Sequence, residues 1–175
     1  MDEVRLRYHP NMNYRIWVLM LIGVLLLLAA AGTGIDATWA NLRSLAGEWE
    51  GTLDAMKGGV TYTIVSGGNV VMESMKMQPP APDMVTMYHR DRRGLVATHY
   101  CSMGNQPRMR ASEASPDGKT VQFRFADITN LAKPDGAHIR HLKVTFQDAD
   151  HFTQDWTSVD KGKEQTEVFK WKRKK

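Results

Sequence analysis

A chain of 175 residues, 42% of them hydrophobic, has room for one domain with a genuine core and not for two. Its formal charge of +4 is modest, and setting aside the three arginines and two acids before residue 32 leaves 20 basic residues against 17 acidic, with much of the excess in Lys170, Lys172, Arg173, Lys174 and Lys175. A basic run at one end, without the aromatic interleaving of a single-strand groove and without zinc-finger, helix-turn-helix or RNP-type spacing, reads as a solubilising tail, so no nucleic-acid partner is expected.

The first element in chain order is apolar. Ile16 to Ala31 is an uncharged run of 16 residues, preceded by Arg15 and ending in Ala29-Ala30-Ala31. A basic flank, an apolar centre and small residues before a cut are the marks of a signal peptide, with cleavage expected after Ala31. The alternative is an uncleaved anchor, since a membrane span needs about 20 residues and this run approaches that. The 15 residues before the run are long for a leader, and a start at Met12 would give normal proportions. No cysteine follows the run, so lipoprotein processing is excluded, and Cys101, the sole cysteine, has no intramolecular disulfide partner. The expected location is periplasmic or secreted, or the inner membrane through residues 16–31. Any membrane association is expected only through that leader. The organisation read from this is a signal peptide or anchor over 1–31, a short lead-in helix or turn over 32–46, and a β domain over 47–175.

After Trp39 the chain is punctuated by turn chemistry: Lys57-Gly58-Gly59, Ser66-Gly67-Gly68-Asn69, Gln78-Pro79-Pro80, Asp91-Arg92-Arg93-Gly94, Gly104-Asn105-Gln106-Pro107, Pro116-Asp117-Gly118, Pro134-Asp135-Gly136, Asp148-Ala149-Asp150 and Asp160-Lys161-Gly162. Glycine supplies positive φ, proline presets the turn entry, and Asn or Asp caps it. Between these lie short segments with the alternation of half-buried strands. They are Glu48–Leu53, Thr61–Val65, Val70–Met77, Val85–His89, Leu95–Cys101, Met109–Ala114, Thr120–Ala126, Ile139–Phe146, Phe152–Val159 and Thr166–Trp171. Val121, Phe123 and Phe125 share one face of their strand, and Leu142, Val144 and Phe146 one face of theirs. About ten sequential strands with short links predict an all-β, up-and-down antiparallel barrel, with a two-sheet sandwich as the alternative. Only Asp127 to Lys133 is long enough for a helical turn between strands.

Trp39 to Gly51, with Gly47-Glu48-Trp49 at its end, resembles the opening of lipocalin-like and fatty-acid-binding-like calycin barrels, including the loosely characterised bacterial exported proteins of that kind. In those barrels a short helical turn leads to a Gly-x-Trp, and a basic residue near the last strand packs over the indole. The resemblance covers the two ends of the domain and implies a barrel closed by Gly47, Trp49 and Arg173 or Lys172, holding a small hydrophobic or amphipathic ligand. The mid-barrel Asp-Tyr pair and linking disulfide of lipocalins are missing.

Polar residues on apolar faces are the candidates to orient such a ligand. Arg140 shares the face of Leu142, and Gln154 sits between Phe152 and Trp156. The segment Gly104 to Arg108, carrying Asn105, Gln106 and Arg108, is a candidate mouth loop. His99, Cys101 and Met103 occupy every second position, so an extended strand presents imidazole, thiolate and thioether on one face, a soft set suited to copper. Met72, Met75, Met77, Met84, Met87 and Met109 lie nearby. The bland reading is a methionine-filled core with a small buried cysteine. A haem ligated by His99 or His89 is a further metal reading. Glu73, on the face of Val71, Met75 and Met77, is either a buried acid or a rim residue. No hydrolase elbow, metalloprotease helix, phosphate loop or dinucleotide fingerprint is present, and Cys101 with His99 lacks an orienting acid, so a non-catalytic binding barrel is expected. An envelope interaction domain is the third reading.

Overall fold

The computed structural model describes residues 34–53, 56–77, 83–92 and 94–175. The leader read from residues 1–31 lies outside them. Ten strands follow one another around a closed wall: β1 Gly47–Leu53, β2 Met56–Val65, β3 Val70–Met77, β4 Met84–Asp91, β5 Gly94–Tyr100, β6 Gln106–Ala114, β7 Thr120–Thr129, β8 His138–Phe146, β9 His151–Asp160 and β10 Lys163–Arg173. Each pairs antiparallel with its sequence neighbours, and β1 closes the ring on β10 through Trp49↔Arg173 to Thr52↔Lys170. Closure removes the unpaired edges that an open sheet would present, which decides between barrel and sandwich.

A helix, α1, covers residues 34–44 and lies across one end of the barrel. It is fastened to the turns at that end: Asn41 Nδ2 donates to Gly118 O at 3.0 Å, Arg43 donates to Gly68 O, and Asp36 pairs with Arg90. Gly118 has φ +68, and a Cβ there would sit 2.4 Å from the Thr38 nitrogen, so the turn can approach the helix only without a side chain. Leu42 and Leu45 point into the barrel, 1% and 3% exposed.

Below the helix the core is aromatic. Trp49, Phe152, Trp171, Tyr62, Tyr88 and Phe123 are all buried, and Trp49 meets Phe152 edge to face at 4.8 Å between centroids. Fully burying such side chains stabilises the fold by about 1.5–3 kcal/mol each. Alternation assigns the faces: Val121 and Phe123 face inward, while Gln122 and Arg124 between and after them stay in contact with solvent.

Two local expectations are corrected. Lys57-Gly58-Gly59 is not a turn but the start of β2, where Gly58 pairs with Gly51 and Met77, and Gly59 with Glu50 and Lys76. Neither glycine adopts a positive φ. What Gly51 and Gly58 provide is a thin wall: a Cβ would lie 2.3 Å from the Trp171 ring at Gly51 and 2.5 Å from Met77 Sδ at Gly58. Asp127–Lys133 forms no helical turn, because β7 continues to Thr129 and residues 130–137 make a loop.

Closure is finished by one arginine. Arg173 lies over the Trp49 indole at 4.1 Å to the centroid and donates to Ala46 O at 3.1 Å, Ser44 O at 2.9 Å and Ala149 O at 3.2 Å. Ser44 is in the last turn of α1, where carbonyls lack helical partners and a cation is favoured. The indole Nε1 donates to Leu45 O at 2.8 Å, and Gly47, at φ +128, leaves room beside the guanidinium. Arg173→Ala is expected to lower stability by about 2 kcal/mol in urea denaturation. Arg173→Lys should restore only part of the loss, since an ammonium lacks the planar fork that spans two carbonyls.

Candidate functional site

The register of β2 to β5 sets four polar residues side by side on the inner wall: Tyr62↔Glu73, Glu73↔Thr86 and Thr86↔His99. All four are at most 3% exposed. Tyr88, one inward position along β4, completes the group, and Gln154 reaches in from β9, which is separated from β2 by β1 and β10.

Glu73 Oε2 accepts three hydrogen bonds, from Tyr62 OH at 2.8 Å, Tyr88 OH at 2.7 Å and Gln154 Nε2 at 2.9 Å. Gln154 in turn accepts from Trp171 Nε1 at 2.8 Å. Two apolar-face positions, one carboxyl and one amide, thus gather donors from four strands. Glu73 Oε1, on the same carboxyl, is buried with no hydrogen-bond partner among the described residues. Burial pushes the Glu73 pKa above the usual carboxylate range, against the hydrogen bonds that favour its anion. Burial likewise raises both tyrosines, with the Glu73 charge adding to the effect.

A second polar group adjoins this one. Thr86 Oγ1 and His99 Nδ1 are 3.0 Å apart, and the His99 ring lies 4.9 Å from the Trp156 ring. Burial depresses the His99 pKa to about 4, so the imidazole is neutral at physiological pH. Trp156 Nε1 is a buried donor without a partner among the described residues. An unused acceptor and an unused donor therefore face the same interior, on residues that adjoin through Gln154 and through Thr86 with His99.

The residues singled out from sequence are dispersed. Gln154, Trp156 and His99 are in the interior. Arg140 is on the outer wall, 46% exposed and 3.4 Å from Glu164, because a bulge between Ile139 and His141 breaks the alternation that would have put it with Leu142. His99, Cys101 and Met103 do not share a face: β5 ends at Tyr100, the chain turns with Gly104 N bonded to Cys101 O at 2.9 Å, and Met103 is 54% exposed. Among the described residues no three His, Cys, Asp or Glu side chains are placed to share a metal ion. In the loop that follows, Asn105 is buried and donates to Ala137 O at 2.9 Å, tying two loops at the end opposite the helix. Gln106 bonds Gly104 and Thr129, and Arg108 holds Asp127 through Nε and Nη2 at 3.1 and 2.7 Å. Gln106 and Arg108 line an outer groove of about 230 Å³ rather than the interior.

Tyr62, Thr86, Tyr88 and Trp171 were missed. The available signal was phase: once Lys57-Gly58-Gly59 is taken as strand, Val60 and Tyr62 fall inward, and Tyr88 and Thr86 follow from the hairpin register.

Among solved structures, the chain is similar to a protein of unknown function from the DUF3598 family of Nostoc punctiforme PCC 73102, with a TM-score of 0.51 and 12% identity over 76% of this chain. The match covers 49% of that protein, so this chain spans about half its length, and the likeness is one of fold. No protein-family model and no curated protein matches the chain.

The two interior groups give opposed pH dependences. His99 takes up a proton on unfolding as pH falls from 6.5 to about 4, so stability is lost across that window, by roughly 3 kcal/mol. Glu73 has a folded pKa above 4.5, so the unfolded chain ionises first and stability is lost as pH rises from 4.5 through the folded value. His99→Gln should abolish the acid-side loss in urea titrations. Glu73→Gln should exceed wild type in stability at neutral pH and converge with it below pH 4.5. Unchanged slopes in both variants would remove these groups from the account.

Proposed function

We propose that this chain is an exported, non-catalytic, lipocalin-like barrel that binds a small amphipathic molecule, entering from the end opposite α1. The observation that carries the reading is that two buried groups on the interior polar cluster, Glu73 Oε1 and Trp156 Nε1, have no partner among the described residues. Leaving a buried acceptor and a buried donor unmade costs about 1–3 kcal/mol each, a cost that a ligand offering one donor and one acceptor would remove. The aromatic rings of Tyr62, Phe152 and Phe169 around the polar group suit an apolar body, as in most small-molecule sites. α1 covers one end, so access is assigned to the other. Export is supported by the basic flank, apolar run and alanines of residues 15–31.

Native mass spectrometry on the full chain, expressed in an exporting host without chelators, is expected to show an added organic mass on a polypeptide beginning at Gly32. A bare polypeptide would overturn the binding reading, and a copper or haem mass would replace it with a metal-handling one. Trp156→Phe keeps the ring and removes only the unused N–H, so it should weaken ligand binding about tenfold while leaving urea stability unchanged or slightly raised.

A further inference from the structure

The lysines that look like a frayed tail in the sequence are arranged on the wall. Lys170 and Lys172 alternate outward on β10, and Lys174 follows directly, bonded through its backbone N–H to Glu48 O at 2.9 Å. The register then lays out two outward rows across four strands. One runs Lys172, Glu50, Gly59, Lys76, and the other Lys170, Thr52, Lys57. Five lysines from three strands thus surround a floor made of Glu50, Thr52 and the bare backbone of Gly59. The space between them is an open trough of about 660 Å³. Lys76 lies 3.7 Å from Asp83 and Lys174 3.4 Å from Glu48, whereas Lys57, Lys170 and Lys172 form no ion pair among the described residues.

We propose that this trough binds a linear chain of phosphate groups, inorganic or carried on a simple polyol. Five ammonium groups fixed on rigid strands, with neighbours along β10 about 7 Å apart, repel one another in the free protein, and a polyanion lying between them relieves that repulsion. Lysine is a compact point charge without the planar fork that selects single carboxylates, which matches a series of phosphates met in any rotation. The other polyanions fit less well. Among the described residues no aromatic side chain lines the trough, so nucleotide bases have nothing to stack on. A closed wall offers no strand edge to a peptide backbone.

Calorimetry of the full chain with short inorganic polyphosphate and with poly(glycerol phosphate) of equal phosphate number, over a salt series, tests this. Binding of either polymer is expected, and the tighter one identifies the source. Lys57→Gln/Lys170→Gln/Lys172→Gln should weaken it by about tenfold or more and reduce the log–log salt slope by about 2. Glu50→Gln, which removes a negative charge from the floor, should tighten it. The control Lys133→Gln/Lys143→Gln/Lys161→Gln changes the net charge equally away from the trough and should leave affinity within about twofold. Equal weakening by the control, no binding of either polymer, or equally tight binding of an oligothymidylate would each overturn the proposal. None of these results depends on the interior site.

Discussion

Arg173 on Trp49 is where the ring of strands, the covering helix and the end of the chain meet. β1 and β10 are the first and last strands, so their pairing is the most non-local contact of the wall and forms only when everything between is in register. The guanidinium supports that pairing through the indole face and through carbonyls on both sides of the joint, at Ser44 and Ala46 before β1 and at Ala149 before β9. It also occupies the carbonyl end of α1, so that one residue satisfies acceptors that would otherwise be left to water.

With the ends joined, ten inward-facing stripes must fill one interior, and this chain fills it in two ways. Near α1 the filling is apolar and aromatic. Further from the helix it becomes a hydrogen-bonded set built on Glu73 and Gln154, whose donors come from Tyr62, Tyr88 and Trp171. A buried carboxyl is costly unless its lone pairs are met, and three donors on one oxygen meet only half of them. The remaining oxygen and the Trp156 N–H are left without partners among the described residues, as are Asn105 Oδ1 and His141 Nδ1 elsewhere in the fold. Burial also works in opposite directions on the acid and the imidazole, favouring the uncharged form of each. The three hydrogen bonds to Glu73 Oε2 oppose that trend for the acid, whereas the imidazole, with its pKa lowered to about 4, is neutral at physiological pH.

The outer wall follows a different logic. Four outward arginines are matched: Arg108 with Asp127, Arg110 with Asp91, Arg124 with Glu113 and Arg140 with Glu164. Exposed pairs of this kind contribute little to stability individually, but they even out the surface field. Across β10, β1, β2 and β3 the evenness fails, and lysines outnumber acids around a recessed floor. The clustering of five lysines around one open trough gives that face its character more than the total charge of the chain does.

The sequence by itself determined the strand count, the antiparallel up-and-down order and most inward residues, because alternation and turn chemistry are local and survive without tertiary context. The inward placing of Gln154 and Trp156 between Phe152 and Val159 is of this kind. Other features depended on contacts far apart in the chain. Gly58 and Gly59 look like a turn until β1 and β3 pair on either side of them and Met77 is brought against Gly58. Arg140 looks inward until a bulge, invisible to simple alternation, adds one residue to β8. His99, Cys101 and Met103 look like one face until the strand stops at Tyr100. Glu73 was legible only as an acid on an apolar face; that it collects two tyrosines and a glutamine was settled by barrel register and by the reach of β9 across the interior. The lysines of β10 read as a solvated end because their neighbours, Lys57 and Lys76, are about a hundred residues away in sequence and become adjacent only when the ring closes.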